Sequence, residues 1–143
     1  MTIARITAQR SSAEIISCEA TMQVRDVIRL LATKRIGAVP ILENGSVVGI
    51  FSERDVIYRL SDEGEVCLNR PVSEVMTAPA ITIEETTTID DALSLMTRRR
   101  IRHLPVLQNG ALKAFISIGD LVKTKMDEVA HEAEAMRSYI QTA

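Results

Sequence analysis

Apolar and polar residues follow the same succession of spacings twice along the chain. Each time a short apolar run, at 14–18 or 80–83, precedes a stretch with apolar residues three and four positions apart, which is the period of an amphipathic helix. Two further apolar runs follow, each of strand length, and a last helical stretch begins at Ser52 or Ser117. The pattern predicts the element order β-α-β-β-α, twice, in a mixed α/β (α+β) fold.

The two halves also match residue by residue at an offset of 65 positions, without a gap. Of the 37 pairs formed by Thr21–Ile57 and Thr86–Val122, 11 are identical, and another 11 set an apolar residue against an apolar one. A tandem duplication accounts for a match of this length. We therefore expect both copies to have the same fold.

A two-residue turn separates the last two strands of each copy, Asn44-Gly45 in the first and Asn109-Gly110 in the second. Both positions of such a turn take a positive φ, which Asn and Gly tolerate, so the dipeptide predicts a hairpin. The flanking strands are predicted at 36–42, 47–51, 101–107 and 112–116.

The first strand of each hairpin contains a proline, Pro40 or Pro105. Proline has no N–H to donate to a strand ladder, and it is therefore found on edge strands or at bulges. We expect one of these two situations in both copies.

Turn-forming and charged residues divide the chain into four parts. A cluster of Asp, Glu, Gly, Asn and Pro predicts a linker at 62–71, between a first repeat at 1–61 and a second at 72–124. The remaining residues, 125–143, predict a helix whose apolar positions have the 3-4 spacing of a helix pair. Since a repeat of this size is marginal alone, the two copies are expected to pack face to face around a shared core.

The segments that lead into the two repeats correspond less simply. The sequence IARI at Ile3–Ile6 matches VSEV at Val72–Val75 only if about four extra residues are allowed in the connection that follows, which is ordinary loop variation. With that allowance, Ser12 is assigned as the counterpart of Thr77.

Composition narrows the classes of function. The 143 residues are 46% hydrophobic and 25% charged, as in a soluble globular protein. A net charge of −2 and an aromatic content of 3% disfavour nucleic-acid binding, which uses basic surfaces and stacking rings. No apolar run reaches the roughly 20 residues that cross a bilayer, and no signal peptide is evident, so we expect a cytoplasmic protein without a membrane anchor.

Side chains for catalysis or metal binding are scarce. The two cysteines and two histidines lack the spacing of a zinc site, and the chain has no Walker loop and no G-x-S-x-G. The basic run Arg98–Arg100, with Arg102, is ascribed to a helix C-terminus, where cations offset the helix dipole. We therefore expect a binding or interaction protein rather than an enzyme, and no metal.

The repeated segments IGAVPILENGSVVGIFSERDVI and IRHLPVLQNGALKAFISIGDLV resemble the cystathionine-β-synthase (CBS) domain. The likeness extends over roughly 1–124, and as a pair it implies a pseudo-two-fold Bateman module that stands alone. Such a module is regulatory, and it binds an adenine-containing ligand between its repeats, with AMP first, then NADH, ATP, ADP or S-adenosylmethionine. The resemblance also implies a homodimer. A module that stands alone would regulate a separate partner protein or simply sense the nucleotide.

The family's S/T-x-x-D motif corresponds to SERD at 52–55 and SIGD at 117–120. In the family, the Asp accepts hydrogen bonds from both ribose hydroxyls and the Ser or Thr contacts phosphate or ribose. A carboxylate has two acceptor oxygens and so suits a diol, and the free N–H groups of the helix that follows favour an anion. The same four residues also form a capping box that needs no ligand, and the sequence leaves both roles open.

The resemblance assigns two clefts, each joining the motif of one repeat to the entry segment of the other. The residues of the first are Ser52, Arg54, Asp55, Thr77, Ile81 and Thr82. Those of the second are Ser117, Gly119, Asp120, Ser12, Ile16, Ser17, Gly37 and Ala38. Residues at the start of the hairpin strands complete the set, with Arg102 and His103 expected near both clefts: Ile36, Ile101, Arg102 and His103.

Several of these residues have an equally simple structural role. Ile36 suits strand packing, Arg102 suits a solvated strand edge, and His103 suits a half-buried ring with its hydrogen bonds satisfied. As ligand contacts, Arg102 offers a planar donor fork for phosphate and His103 a second donor. A scaffold that binds only a partner protein is the main alternative function, and it predicts indifference to adenine nucleotides.

Overall fold

The computed structural model describes residues 1–11 and 14–142 and confirms the mixed α/β class, with one small sheet in each repeat. The chain begins with a short helix, α1 (Ala4–Thr7). The first repeat contains β1 (Cys18–Glu19), α2 (Val24–Lys34), β2 (Ala38–Glu43), β3 (Ser46–Ser52) and α3 (Glu53–Glu63). Two 3₁₀ turns, Gly64–Asn69 and Val72–Glu74, connect the repeats. The second repeat contains β4 (Ile83–Glu84), α4 (Ile89–Arg99), β5 (His103–Gln108), β6 (Ala111–Ser117) and α5 (Ile118–Thr142).

Both sheets have the same topology, which confirms the predicted duplication. The entry strand runs parallel to the middle strand, and the middle strand pairs antiparallel with the third, in the orders β1-β2-β3 and β4-β5-β6. The predicted hairpin turns are present, with φ of 52° and 80° at Asn44-Gly45 and 53° and 81° at Asn109-Gly110. The local turn chemistry therefore sets the register of both hairpins.

The two strand prolines lie in the middle strands, so the predicted edge position is wrong and the predicted bulge is confirmed. A register shift follows Ile41 in β2 and Val106 in β5. Ile50, which is paired with Pro40, exchanges backbone hydrogen bonds of 3.0 and 2.9 Å with Thr77 on the far side of β3. The nitrogen of Pro40 therefore faces away from β3, and no hairpin hydrogen bond is lost.

The entry strands are shorter and begin later than predicted. Apolar runs at 14–18 and 80–83 predict longer strands, but β1 and β4 have two residues each and pair only beyond the proline of the middle strand. Since Pro40 presents no N–H on that side, the parallel ladder ends at Ile41.

The apolar core is divided between the two repeats, which corrects the expectation of one shared core. One cluster of buried side chains surrounds Phe51, and a separate cluster fills the second repeat. Each cluster is completed by a short segment from outside the hairpin and helices: Ile3 and Ile6 pack into the second repeat, and Val72 and Val75 into the first. These segments supply the apolar surface that a small repeat lacks.

The two short segments, Ile3–Ile6 and Val72–Val75, are anchored in the same way. This supports the alignment of the two segments with four extra residues in the first connection. The backbone N–H of Ile3 donates to Thr87 O at 2.9 Å, and that of Val72 donates to Met22 O at 2.8 Å. Thr87 and Met22 are themselves equivalent positions of the two repeats. The additional residues of the first connection therefore follow Ile6.

The helix of the second S-x-x-D motif continues into the C-terminal segment without interruption. α5 has 25 residues, so the predicted repeat boundary after 124 falls inside one helix. Its first turns pack on the second repeat through buried Leu121, and an ion pair of 2.9 Å joins Lys125 Nζ to Asp90. From residue 129 to 142 every side chain is exposed, so this half of the helix extends away from the module.

Candidate functional site

The first S-x-x-D motif lies where β3 ends and α3 begins. The backbone N–H of Ser52 donates to Asp55 Oδ2 at 2.9 Å, and the N–H of Asp55 donates to Ser52 Oγ at 3.4 Å. This reciprocal pair is a complete capping box, so the structural role of the motif is confirmed. The box leaves Asp55 Oδ1 for another donor, the hydroxyl of Thr77 at 2.8 Å.

Asp55 and Thr77 line a cleft of about 640 Å³ between the two repeats. That volume is in the range of small-molecule binding sites. Among the predicted site residues, the structure brings ten together there: Gly37, Ala38, Ser52, Arg54, Asp55, Thr77, Ile81, Ile101, Arg102 and His103. The first motif and the entry segment of the second repeat therefore face each other as the sequence predicts.

Four residues lie elsewhere than predicted. Gly37 and Ala38 lie on this first cleft, with Ser52, although they are predicted beside Ser117. The reason is the hairpin: Ala38 pairs directly with Ser52 across β2 and β3. Thr82 and Ile36 do not line the cleft; Thr82 is exposed, and Ile36 packs against the core of the first repeat.

The cleft walls differ in chemical character. The lining includes apolar side chains and small residues, among them the Pro79–Ile81 segment, Ile50 and Ile101. It also includes four arginines: Arg54, Arg99, Arg100 and Arg102. Among residues 1–11 and 14–142, none of these four guanidinium groups has a carboxylate within 4.0 Å. The cleft therefore offers apolar contacts for a ring system and guanidinium donors for an anion.

Sequence reasoning misses several residues of the cleft. Besides Arg99 and Arg100, the unpredicted lining residues are Ile50, Glu53, Ile57, Tyr58, Pro79 and Ala80. Arg100 ends α4 in the left-handed conformation, with φ of 54°, and its carbonyl accepts a 2.9 Å hydrogen bond from Arg54. The sequence does carry a signal for Arg99 and Arg100, because the run Arg98–Arg100 leads directly into Arg102 and His103. A helix C-terminus explains only part of that run, because Arg99 and Arg100 also line the cleft.

His103 is a half-buried ring at the boundary between the two repeats. Its imidazole stacks on Phe115, with ring centroids 5.3 Å apart and an angle of 11° between the planes. Burial lowers the pKa of His103; the nearby Arg102 acts in the same direction, while Asp120 and Glu53 oppose the shift. The ring is therefore favoured in its neutral form, which both accepts and donates one hydrogen bond.

The lowered pKa of His103 predicts a pH dependence of stability. The unfolded chain, with a histidine pKa of about 6.5, binds the proton more readily than the folded chain. The free energy of unfolding should therefore fall as the pH falls from about 7.5 through 6.5, and level off below the folded-state pKa. Urea unfolding between pH 5 and 8 measures this slope.

Two variants identify the group responsible. His103→Gln should flatten that part of the profile, while His131→Gln, which changes an exposed residue of α5, should leave it intact. An unchanged slope in His103→Gln contradicts the assignment.

The second S-x-x-D motif has the same capping geometry and a different additional donor. The Ser117 N–H donates to Asp120 Oδ2 at 2.8 Å, and the Asp120 N–H donates to Ser117 Oγ at 3.2 Å. The remaining oxygen, Oδ1, forms an ion pair of 2.6 Å with Nη2 of Arg10. Burial alone raises the pKa of Asp120, but hydrogen bonds from Arg10 and Ser117 hold it below its usual range.

The other residues predicted for the second cleft are not gathered as closely. Ser12 lies outside the described residues. Ile16 is half-buried against the core of the first repeat, and Ser17 is also half-buried. A small cavity of about 200 Å³ lies nearby, and its lining includes Arg10 and Phe115 but neither Ser117 nor Asp120.

Comparison with known proteins decides the family. The CBS-domain model matches residues 8–62 and 72–127, which is both repeats. The chain belongs to the CBS-domain family. Its paired repeats, related by the 65-residue offset, have the arrangement that the sequence resemblance implies.

Individual CBS proteins are similar over most of the chain. The mitochondrial CBS domain-containing protein CBSX3 of Arabidopsis thaliana is 30% identical over 129 residues, which is 87% of this chain and 63% of that relative. A solved structure of a protein with CBS domains from Burkholderia ambifaria MC40-6 is 36% identical, covers 89% of this chain and 95% of that chain, and has a TM-score of 0.80. The structure of CBSX2, 20% identical over 88% of this chain and 96% of its own, shares the fold with a TM-score of 0.76.

None of the described helices of the CBS pair has the length and apolarity of a membrane span. The described residues also contain no group of three or more His, Cys, Asp or Glu side chains placed to hold a metal ion.

Proposed function

We propose that this CBS pair is a regulatory module that binds an adenine nucleotide in the cleft of its first S-x-x-D motif. The observation that carries the proposal is the pairing of Asp55 Oδ1 with the Thr77 hydroxyl, 2.8 Å apart, within a cleft of about 640 Å³. One oxygen of the carboxylate is committed to the capping box, and the other faces a group that can exchange partners.

A ribose fits this pair of groups. A diol brings two donors to the carboxylate, and the Thr77 hydroxyl can rotate to accept a hydrogen bond where it now donates one to Asp55. Hydrogen bonds to an ionised acceptor are stronger than those between neutral groups. Asp55 is therefore the residue that distinguishes a nucleotide from a ligand without the sugar.

The rest of the cleft suits the two ends of a nucleotide. A purine ring can lie between Ile81, Ala80 and the small residues Gly37 and Ala38, all of which line the cleft. The phosphate end is placed at the arginines, because guanidinium groups form paired hydrogen bonds with phosphate oxygens. His103 is the nearby neutral donor.

AMP is the first candidate, followed by NADH, ATP, ADP and S-adenosylmethionine. The fold neighbour CBSX2 was solved in complex with AMP, which supports a ligand of this class. A nucleotide changes the state of the module only by as much as its affinities for two conformations differ. We place the regulated activity in a separate partner protein.

A thermal-shift panel of AMP, ADP, ATP, NAD, NADH and S-adenosylmethionine tests the proposal. A ligand at 100 times its dissociation constant adds about 2.7 kcal/mol to the stability of the folded state and raises Tm accordingly. We expect a shift for one or two of these compounds. No shift for any of them, with the protein folded, favours the ligand-free scaffold.

We also propose that the module is a homodimer in which α5 pairs with the same helix of a second copy. Large apolar side chains are exposed along α5 with helix-pair spacing: Ile118, Val122, Met126, Val129, Met136 and Ile140. The basic residues Lys123, Lys125 and Arg137 lie on either side of the acidic residues at 127–134, so two copies can be complementary in charge.

Sedimentation velocity measures the oligomeric state directly. We expect a dimer for the natural chain and a monomer for Met126→Glu/Val129→Glu, since a pair of buried carboxylates opposes association. A matched change of polar residues on the same helix, Glu132→Gln/Glu134→Gln, should leave the dimer intact. A monomeric natural chain contradicts the proposal.

A further inference from the structure

The two S-x-x-D aspartates differ in the group that meets their second oxygen. In the first repeat, Asp55 Oδ1 accepts a hydrogen bond from the Thr77 hydroxyl at 2.8 Å. In the second repeat, Asp120 Oδ1 is paired with the guanidinium of Arg10 at 2.6 Å. The same acceptor therefore faces a neutral hydroxyl in one copy and a cation in the other.

The difference comes from the extra residues of the first connection. Ile3 and Ile6 occupy the place that Val72 and Val75 occupy in the other copy, and the four additional residues follow Ile6. Arg10 lies among them and so has no counterpart in the second connection. The duplication alone does not account for this ion pair.

The surroundings of the two motifs also differ. Gly49 in β3 allows the entry backbone to approach closely, because a Cβ there would lie 2.8 Å from Thr77 O. The equivalent residue of β6 is Ala114, which has that Cβ. Beside Asp120, Gly119 stands where the first motif has Arg54. The surroundings of Asp55 and Asp120 are therefore chemically unequal.

A guanidinium is a more persistent partner than a hydroxyl. The Thr77 hydroxyl can turn from donor to acceptor when a ribose arrives, whereas Arg10 can only donate and remains charged. Its ion pair is partly shielded, with the two side chains 35% and 26% exposed. A nucleotide at Asp120 must displace Arg10 before its ribose hydroxyls can reach Oδ1.

We infer that Arg10 closes the second cleft by occupying the ribose acceptor of Asp120, so that the free chain has one open nucleotide site and one latched site. This inference rests on the proposed nucleotide function and adds the number of nucleotides that each chain binds. It also assigns Arg10, which lies outside the family motif, the role of setting how many ligands bind.

AMP binding to variants that isolate the second cleft tests the latch. In Asp55→Ala, which removes the acceptor of the first cleft, equilibrium dialysis should detect no bound AMP. In Asp55→Ala/Arg10→Ala we expect one AMP per chain, and adding Asp120→Ala should remove it again. Arg5→Ala is the matched control, because it deletes an exposed arginine of the same N-terminal segment and should bind no AMP in the Asp55→Ala background.

Each result bears on the latch and on the proposed function separately. AMP bound to Asp55→Ala with Arg10 intact overturns the latch, as does a double variant that binds none while the natural chain binds one. If the natural chain binds none and Arg10→Ala binds one, the latch stands and the first-cleft function fails. Binding to no variant overturns both.

Two measurements without AMP control for unfolding of the Arg10→Ala variant. Circular dichroism should show the same secondary structure in Arg10→Ala, since Ile3 and Ile6 still anchor the segment. The carboxyl carbon of Asp120, followed by NMR during acid titration, should titrate at a higher pH in Arg10→Ala than in the natural chain. An unchanged titration shows that the ion pair does not form in solution, and that result overturns the latch as well.

Discussion

Asp55→Ala abolishes AMP binding in the first cleft, and this is the largest functional effect that we expect of a single substitution. The change removes both carboxylate oxygens, and with them the acceptors of the ribose diol. A hydrogen bond to a charged group contributes about 1.5–3 kcal/mol, so the loss of two raises the dissociation constant roughly 100-fold or more. Isothermal titration calorimetry of AMP with the variant measures it.

Asp55 also caps α3, and the experiment must separate the two roles. Asp120→Ala is the matched control, because it removes the equivalent cap of α5 and Asp120 does not itself line the first cleft. Both variants should lose about 0.5–2 kcal/mol of stability, which is the usual contribution of a cap. Equal AMP affinity in Asp55→Ala and the natural chain would show that the motif is a helix cap only.

Phe51→Ala has the largest expected effect on stability. Phe51 is fully buried in the core of the first repeat, at the end of β3 that leads into the SERD motif. Truncating a buried phenylalanine costs about 3–5 kcal/mol, a large share of the 5–15 kcal/mol by which domains are stable. Urea denaturation measured by circular dichroism gives the difference in the free energy of unfolding.

The second phenylalanine of the chain provides the comparison. Phe115 occupies the position equivalent to Ile50 and is half-buried, stacked on His103. Phe115→Ala should therefore cost distinctly less, since fewer contacts are lost and water can fill part of the space. Equal losses of unfolding free energy in the two variants would contradict this distinction between a fully buried and a half-buried ring.

Features fixed by local chemistry are the ones that the sequence predicts well. The Asn-Gly turns require positive φ at both positions, and S-x-x-D caps the helix that follows it, so both recur in the two copies at the 65-residue offset. Helices at Val24–Lys34 and Ile89–Arg99 follow from their apolar period. The motifs also predict ten of the 18 residues that line the first cleft, two of which, Gly37 and Ala38, are assigned to the other cleft.

Features that depend on long-range contacts are not predicted in the same way. Apolar runs such as 14–18 suggest long strands, but the length of β1 is set by Pro40 on a neighbouring strand. The pairing of Arg10 with Asp120 joins residues 110 positions apart, and no local pattern connects them. Arg99 and Arg100 contribute to the cleft because of where α4 ends in space, which a helix-dipole argument does not address.

The exchange of short segments between the repeats has a consequence for the order in which the protein is made. The core of the first repeat can close soon after Val75 has left the ribosome, because its final piece follows it in the chain. The second repeat instead depends on Ile3 and Ile6, which are synthesised before the first repeat. They have no partner until the second repeat begins to form, because both pack into its core and the Ile3 N–H donates to Thr87 O. Domains generally fold as units from the N-terminus during synthesis. Here a segment that precedes the first repeat docks only on the second, so a nascent chain stopped between the repeats has its first core complete and Ile3 and Ile6 still unbound.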